Sequence, residues 1–134
     1  MTVVVWTFAL VTACIHVLVF VWESFLITRP AVYSRIFAIS AADVPAIRLW
    51  AFGVGFYNLF LALGLIAGVS LWIGGWVDVG RALVGYLCAI LFLSGVVLLV
   101  ADRMGLGRRR GSGVGGALSQ GIPPLIALIA MVFT

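Results

Sequence analysis

The sequence predicts an all-α integral membrane protein, a four-helix bundle in one domain spanning residues 1–134 with both termini extracytoplasmic. Three observations predict it. Hydrophobic residues make up 65% of the chain and charged residues 9%, with a mean hydropathy of +1.31, which is not the composition of a soluble domain. Four continuous apolar runs, about 3–27, 46–73, 82–101 and 117–133, each approach the roughly 20 residues needed to cross a hydrocarbon core, and none alternates as a barrel strand does. Finally, all eight basic residues are arginines, and seven fall in the first and third gaps: Arg29, Arg35 and Arg48, then Arg103, Arg108, Arg109 and Arg110. Arg81 alone lies in the middle gap. The positive-inside rule therefore puts the arginine-rich gaps in the cytoplasm and both chain ends outside, in a multi-pass protein of the bacterial inner membrane.

Segment one carries Cys14, His16 and Glu23 as its ionisable groups. Ionisable side chains in hydrocarbon are costly and face a protein interior. Seven residues turn a helix by about 700°, so His16 and Glu23 return to one face roughly 10 Å apart, with Thr12 on the same stripe. They are the catalytic candidates. Val11-Thr12-Ala13-Cys14 loosely resembles a lipoprotein cleavage box, but no basic stretch precedes it and the apolar run continues, so a retained helix is expected. Cys14 and Cys88 sit in apolar helices as packing residues, and a lone His does not suggest a metal; no metal or cofactor is expected.

In the first gap, Ser40-Ala41-Ala42-Asp43 followed by Pro45 predicts a helix start near Ala41, and the mixed basic and aromatic stretch 28–37 suits the headgroup level. Segment two contains Tyr57 and Asn58, and its Ala51-x-x-x-Gly55 and Gly64-x-x-x-Gly68 spacings allow a neighbouring helix, in the same chain or a second copy, to approach closely. Ser94 is the polar residue of segment three. The glycine-rich second basic gap, 105–116, reads as a flexible tether. Segment four contributes Gln120 and Pro123-Pro124, whose missing N–H groups leave the carbonyls of Ser119 and Gln120 without their usual partners.

Counting about 1.5 Å per residue from the cytoplasmic helix ends pairs His16 with Asn58 near the midplane. The same count sets Glu23, Ser94 and Gln120 in a layer closer to the cytoplasm. Tyr57, Asn58, Ser94 and Gln120 are the ligand-binding candidates. At these residues the chain resembles a known family. The ordered set His16 to Glu23, Arg35-Ile36-Phe37 with Ser40, Gly55 to Ala62, and Gln120-Gly121-Ile122-Pro123 is similar to an uncharacterised family of small bacterial four-helix membrane proteins, the domain of unknown function 1304. The resemblance implies a four-helix fold and no reaction. Where that family reads Asn-Gln-Gly-x-Tyr-Asn, this chain has Gly53-Val54-Gly55-Phe56-Tyr57-Asn58, two polar side chains fewer.

Three functions are consistent with these features. The first is an accessory or scaffold subunit whose buried polar groups lock helices together. The second is a binder or isomerase of a lipid, isoprenoid or sterol-like ligand using Glu23 and His16, similar in architecture to four-helix sterol isomerases. The third is a small proton-coupled exporter, which the fixed orientation set by the arginines disfavours. Expected partners are membrane lipids, with a homo-oligomer or larger membrane complex left open, and no nucleic acid. The arginine asymmetry generates the first prediction. Single-cysteine variants Thr2→Cys and Ser112→Cys should react with an impermeant maleimide from opposite faces of the membrane; labelling of both from one face would overturn the topology.

Overall fold

The computed structural model describes residues 1–134 and contains five helices: α1 (Thr2–Ser24), α2 (Pro30–Tyr33), α3 (Val44–Ile73), α4 (Val77–Met104) and α5 (Val114–Met131). All but the four-residue α2 are long and apolar enough to cross a membrane. They pack as a ring in the order α1, α3, α4, α5, with α1 and α4 on a diagonal. Both chain termini and the α3–α4 turn lie at one end, because Val5, Trp72, Val84 and Ala130 share a single core cluster. The connections α1–α3 and α4–α5, which hold Arg29, Arg35, Arg108, Arg109 and Arg110, form the other end together with Arg48 near the start of α3 and Arg103 near the end of α4.

Helix limits differ from the apolar runs for identifiable reasons. α4 begins at Val77, five residues before the apolar run, since Asp78 in its first turn complements the helix dipole and interrupts hydropathy without interrupting the helix. α1 ends at Ser24 rather than at Ile27, where the Phe25 and Leu26 amides both turn back onto Val21 O. The start expected near Ala41 falls at Val44: Ser40 Oγ donates to Asp43 Oδ2 at 2.7 Å instead of capping a helix, and residues 41–43 form a turn.

Small residues set the packing at the terminal end. Ala9, Ala13, Ala62, Ala127 and Ala130 are almost fully buried there beside Leu65 and Leu91. A Cβ on Gly80 would lie 2.5 Å from Trp72 N and 2.7 Å from Gly68 O, so α3 and α4 touch through their backbones. Gly64 faces Leu87 and Gly68 faces Val84 across the same seam, which assigns the Gly64-x-x-x-Gly68 spacing to a contact inside the chain. Gly55 likewise accommodates Ser24 and the Phe20 carbonyl of α1. Between α4 and α5, a Cβ on Gly95 would come within 2.8 Å of Gly121 Cα. Trp72 closes this end, edge-on to Trp6 with centroids 6.1 Å apart and with the Arg81 guanidinium 5.3 Å from its ring.

These contacts separate two classes of glycine. Gly80→Ala should lower thermal stability in detergent by about 1–3 kcal/mol, because rigid backbone surrounds the new methyl. Gly53→Ala, with nothing within 4 Å of the added carbon, should raise it by up to about 1 kcal/mol through helix propensity. Equal melting temperatures for the two variants would contradict the close α3–α4 contact.

Candidate functional site

The antiparallel register of α3 against α4, read from Gly64 beside Leu87 and Gly68 beside Val84, sets Val54 opposite Val97 and Tyr57 opposite Ser94. At this level the two helices no longer fill the space between them. A cavity of about 810 Å³ occupies the arginine-rich half of the bundle and is lined by all four long helices. Val54, Tyr57, Leu93 and Val97 all line it, yet they are 43%, 67%, 58% and 66% exposed. The α3–α4 seam is therefore where the cavity opens to the outside of the bundle.

Polar groups meet halfway along the cavity. Asn58 Nδ2 donates to Glu23 Oε2 at 2.9 Å and also to Val54 O at 3.2 Å. Helical side chains lean toward the N-terminus of their own helix, so in the antiparallel pair α1–α3 Glu23 leans away from the arginine-rich end and Asn58 leans toward it. The two converge although they begin at different depths. Across the cavity, Ser94 and Gln120 flank the Gly95–Gly121 contact. Ser94 Oγ donates to Ile90 O at 2.9 Å, whereas the Gln120 side chain has no hydrogen bond within the chain and lines the cavity. The carbonyls of Ser119 and Gln120 face the N–H-lacking Pro123 and Pro124 in the helix ladder, and Ser119 also lines the cavity.

Glu23, Tyr57, Asn58, Ser94 and Gln120 thus share one cavity, and His16 does not line it. Equal depth paired Asn58 with His16; the hydrogen bond of Asn58 goes to Glu23 instead. His16 is 1% exposed and donates from Nδ1 to Thr12 O at 2.8 Å, while the Thr12 hydroxyl donates to Phe8 O at 2.7 Å. The stripe of segment one is buried as expected, but its imidazole and carboxyl occupy different environments. Of the two positions where the resemblance implies additional polar side chains, Val54 is in the cavity wall and Gly53 faces open space.

The closed end of the cavity is built by the two basic connections, whose mutual contacts and whose dependence on Asp102 the sequence reading did not anticipate. The second basic gap is not a free tether. α4 ends in a Schellman turn, with Leu106 N donating to Ala101 O and left-handed Gly105 donating to Asp102 O. Asp102, 1% exposed, accepts Gly111 N at 2.8 Å on Oδ2 and Gly113 N at 2.7 Å on Oδ1, folding the glycine-rich loop around its carboxylate. Arg108 Nε lies 4.0 Å from Asp102 Oδ1, and its Nη1 donates to Phe37 O at 3.3 Å, joining this loop to the first basic connection. Arg108, Gly113, Ile36 and Phe37 all line the cavity. The available signal was Asp102 itself, the one acidic residue among the four arginines of that gap.

The Glu23–Asn58 bond is open to a direct check. Glu23→Gln keeps an acceptor oxygen for Asn58 and should stay within about 1 kcal/mol of the native protein, whereas Glu23→Ala strands the Asn58 amide and should cost about 1–3 kcal/mol. Melting in detergent separates the two; equal damage in both variants would mean that Glu23 acts through its charge rather than as an acceptor for Asn58.

In comparison with known families, residues 10–132 match the family model of DUF1304, described as a protein of unknown function. Comparison with curated proteins and with solved structures finds no match for the chain.

Proposed function

We propose that this chain, which belongs to the DUF1304 family, is a membrane protein that takes a single amphipathic lipid or isoprenoid from the bilayer into its cavity. The observation that carries this reading is the cavity's form: about 810 Å³, within the roughly 300–1,000 Å³ range of small-ligand sites, with its mouth on the lipid-facing α3–α4 seam. Its wall is graded. Ile15, Leu18, Leu61 and Ile90 line the end nearer the bundle centre, Glu23, Asn58, Ser94 and Gln120 form a polar belt, and Arg108 closes the loop end. An amphiphile has the same gradient along its length. The unpaired Gln120 amide and the Glu23–Asn58 pair supply hydrogen bonds that a ligand hydroxyl, carbonyl or amide can complete.

A scaffold would need its polar residues locked into a packed interior, whereas here five candidates border open space. An isomerase using both His16 and Glu23 loses its imidazole, which lies outside the cavity wall. Binding is thus the better supported role, with Glu23, Tyr57, Asn58, Ser94 and Gln120 as contact residues. With the arginine-rich loops cytoplasmic, the mouth opens in the inner leaflet of the bacterial inner membrane. A homo-oligomer or larger assembly is compatible with this arrangement.

Native mass spectrometry of protein extracted in mild detergent tests the proposal. The native protein should retain one amphiphile per chain. Leu93→Trp, which places an indole across the mouth, should retain less than a tenth as much, and Val100→Trp, exposed but outside the cavity wall, should match the native protein. No retained amphiphile, or equal retention by Leu93→Trp, would overturn the reading.

A further inference from the structure

We infer that the ligand carries an anionic head, a carboxylate or phosphate group, bound by Arg108 at the loop end of the cavity, with a single hydrocarbon tail running along α1 toward Ile15. This rests on the lipid-binding reading above and specifies the chemical class of its ligand. Arg108 is the cationic residue in the cavity wall, and its side chain is only 19% exposed. It is held from three sides. Its Nη1 donates to Phe37 O, its Nε faces Asp102, and its Nη2 lies over Gly113, where any Cβ would collide with the guanidinium. A guanidinium has five N–H donors in a planar fork, and these contacts leave donors on both terminal nitrogens for an acceptor in the cavity.

Asp102 offsets part of this charge but does not occupy the fork. Each of its carboxylate oxygens already accepts a backbone N–H at 2.7–2.8 Å, and its distance to Arg108 Nε is 4.0 Å, longer than a hydrogen bond. It acts as a brace that positions the fork. Around it stand Arg103, Arg109 and Arg110, so the loop end is net positive and attracts anions from the membrane surface. Carboxylate and phosphate oxygens match the fork geometry, and such charge-assisted bonds are about twice as strong as neutral ones. Beyond the polar belt the wall becomes aliphatic. On α1 it extends from Glu23 to Ile15, about 12 Å of rise, which is the length of a tail segment rather than of a second headgroup.

The head can be supplied by a fatty acid or by a prenyl or alkyl phosphate, and three twelve-carbon probes separate these from a merely lipophilic cavity. Binding of dodecanoate, dodecyl phosphate and dodecanol is measured calorimetrically on full-length protein in phosphatidylcholine nanodiscs. At least one anion should bind ten times or more tighter than dodecanol, and the stronger of the two identifies the head. Arg108→Gln should bring the anions to the dodecanol affinity and leave dodecanol unchanged. Arg108→Lys, retaining charge without the fork, should keep an intermediate preference. Arg109→Gln, on an exposed residue of the same loop, should keep the full preference. Equal binding of all three probes by the native protein, or equal loss of preference in the Arg109 variant, would overturn the anionic-head assignment while the cavity reading stands. Failure of every probe, dodecanol included, would overturn the cavity reading and this inference together.

Discussion

The backbone contact between α3 and α4 at Gly68, Trp72 and Gly80 is the constraint on which the remaining architecture depends. Helices in hydrocarbon gain little from hiding apolar side chains, so they associate where small residues allow backbones to touch and dispersion contacts to accumulate. This chain concentrates such residues at the end that holds both termini. There Gly64, Gly68 and Gly80 bring α3 against α4, and alanines fill the centre. At the opposite end the facing residues are Val54, Tyr57, Leu93 and Val97, which are too bulky for the same approach. A bundle tight at one end and spread at the other has a cavity where it spreads.

In the spread half α1 still touches α3 at Gly55 and α4 touches α5 at Gly95 and Gly121, and polar contacts add to these. Glu23 and Asn58 link α1 to α3 inside the bundle. Asp102 gathers the α4–α5 loop, and Arg108 joins that loop to the α1–α3 connection through the Phe37 carbonyl. These bonds are directional and leave volume between them, whereas apolar packing would fill it. Of these groups Glu23, Asn58, Phe37 and Arg108 also line the enclosed space. The cavity wall thus combines a polar belt and one arginine with aliphatic residues and the aromatic side chains of Trp22, Phe37 and Tyr57.

Much of this was legible in the chain. The all-helical fold with four long apolar helices follows from hydropathy and run length, and membership of DUF1304 from the ordered motif around His16, Glu23, Asn58 and Gln120. Helix ends were less legible. Asp78 and Arg81 interrupt hydropathy but not the backbone hydrogen-bond ladder, and Ser40 spends its hydroxyl on Asp43. The glycine-rich loop was read from composition as a tether because composition does not reveal a buried carboxylate that gathers its amides.

Residue type and spacing were enough to say that Thr12, His16, Glu23, Asn58 and Gln120 must avoid lipid, since an unpartnered polar group in hydrocarbon is costly whatever its neighbours. Which of them meet was set by packing between helices. Depth counted along each helix pairs His16 with Asn58, but the lean of side chains in an antiparallel pair delivers Asn58 to Glu23 and leaves His16 to its own helix backbone. Register across the α3–α4 seam depends on glycines far from the cavity, and the placement of Arg108 depends on Asp102, Phe37 and Gly113 together. Those relations join residues up to 71 positions apart, a separation over which local sequence pattern carries no geometric information.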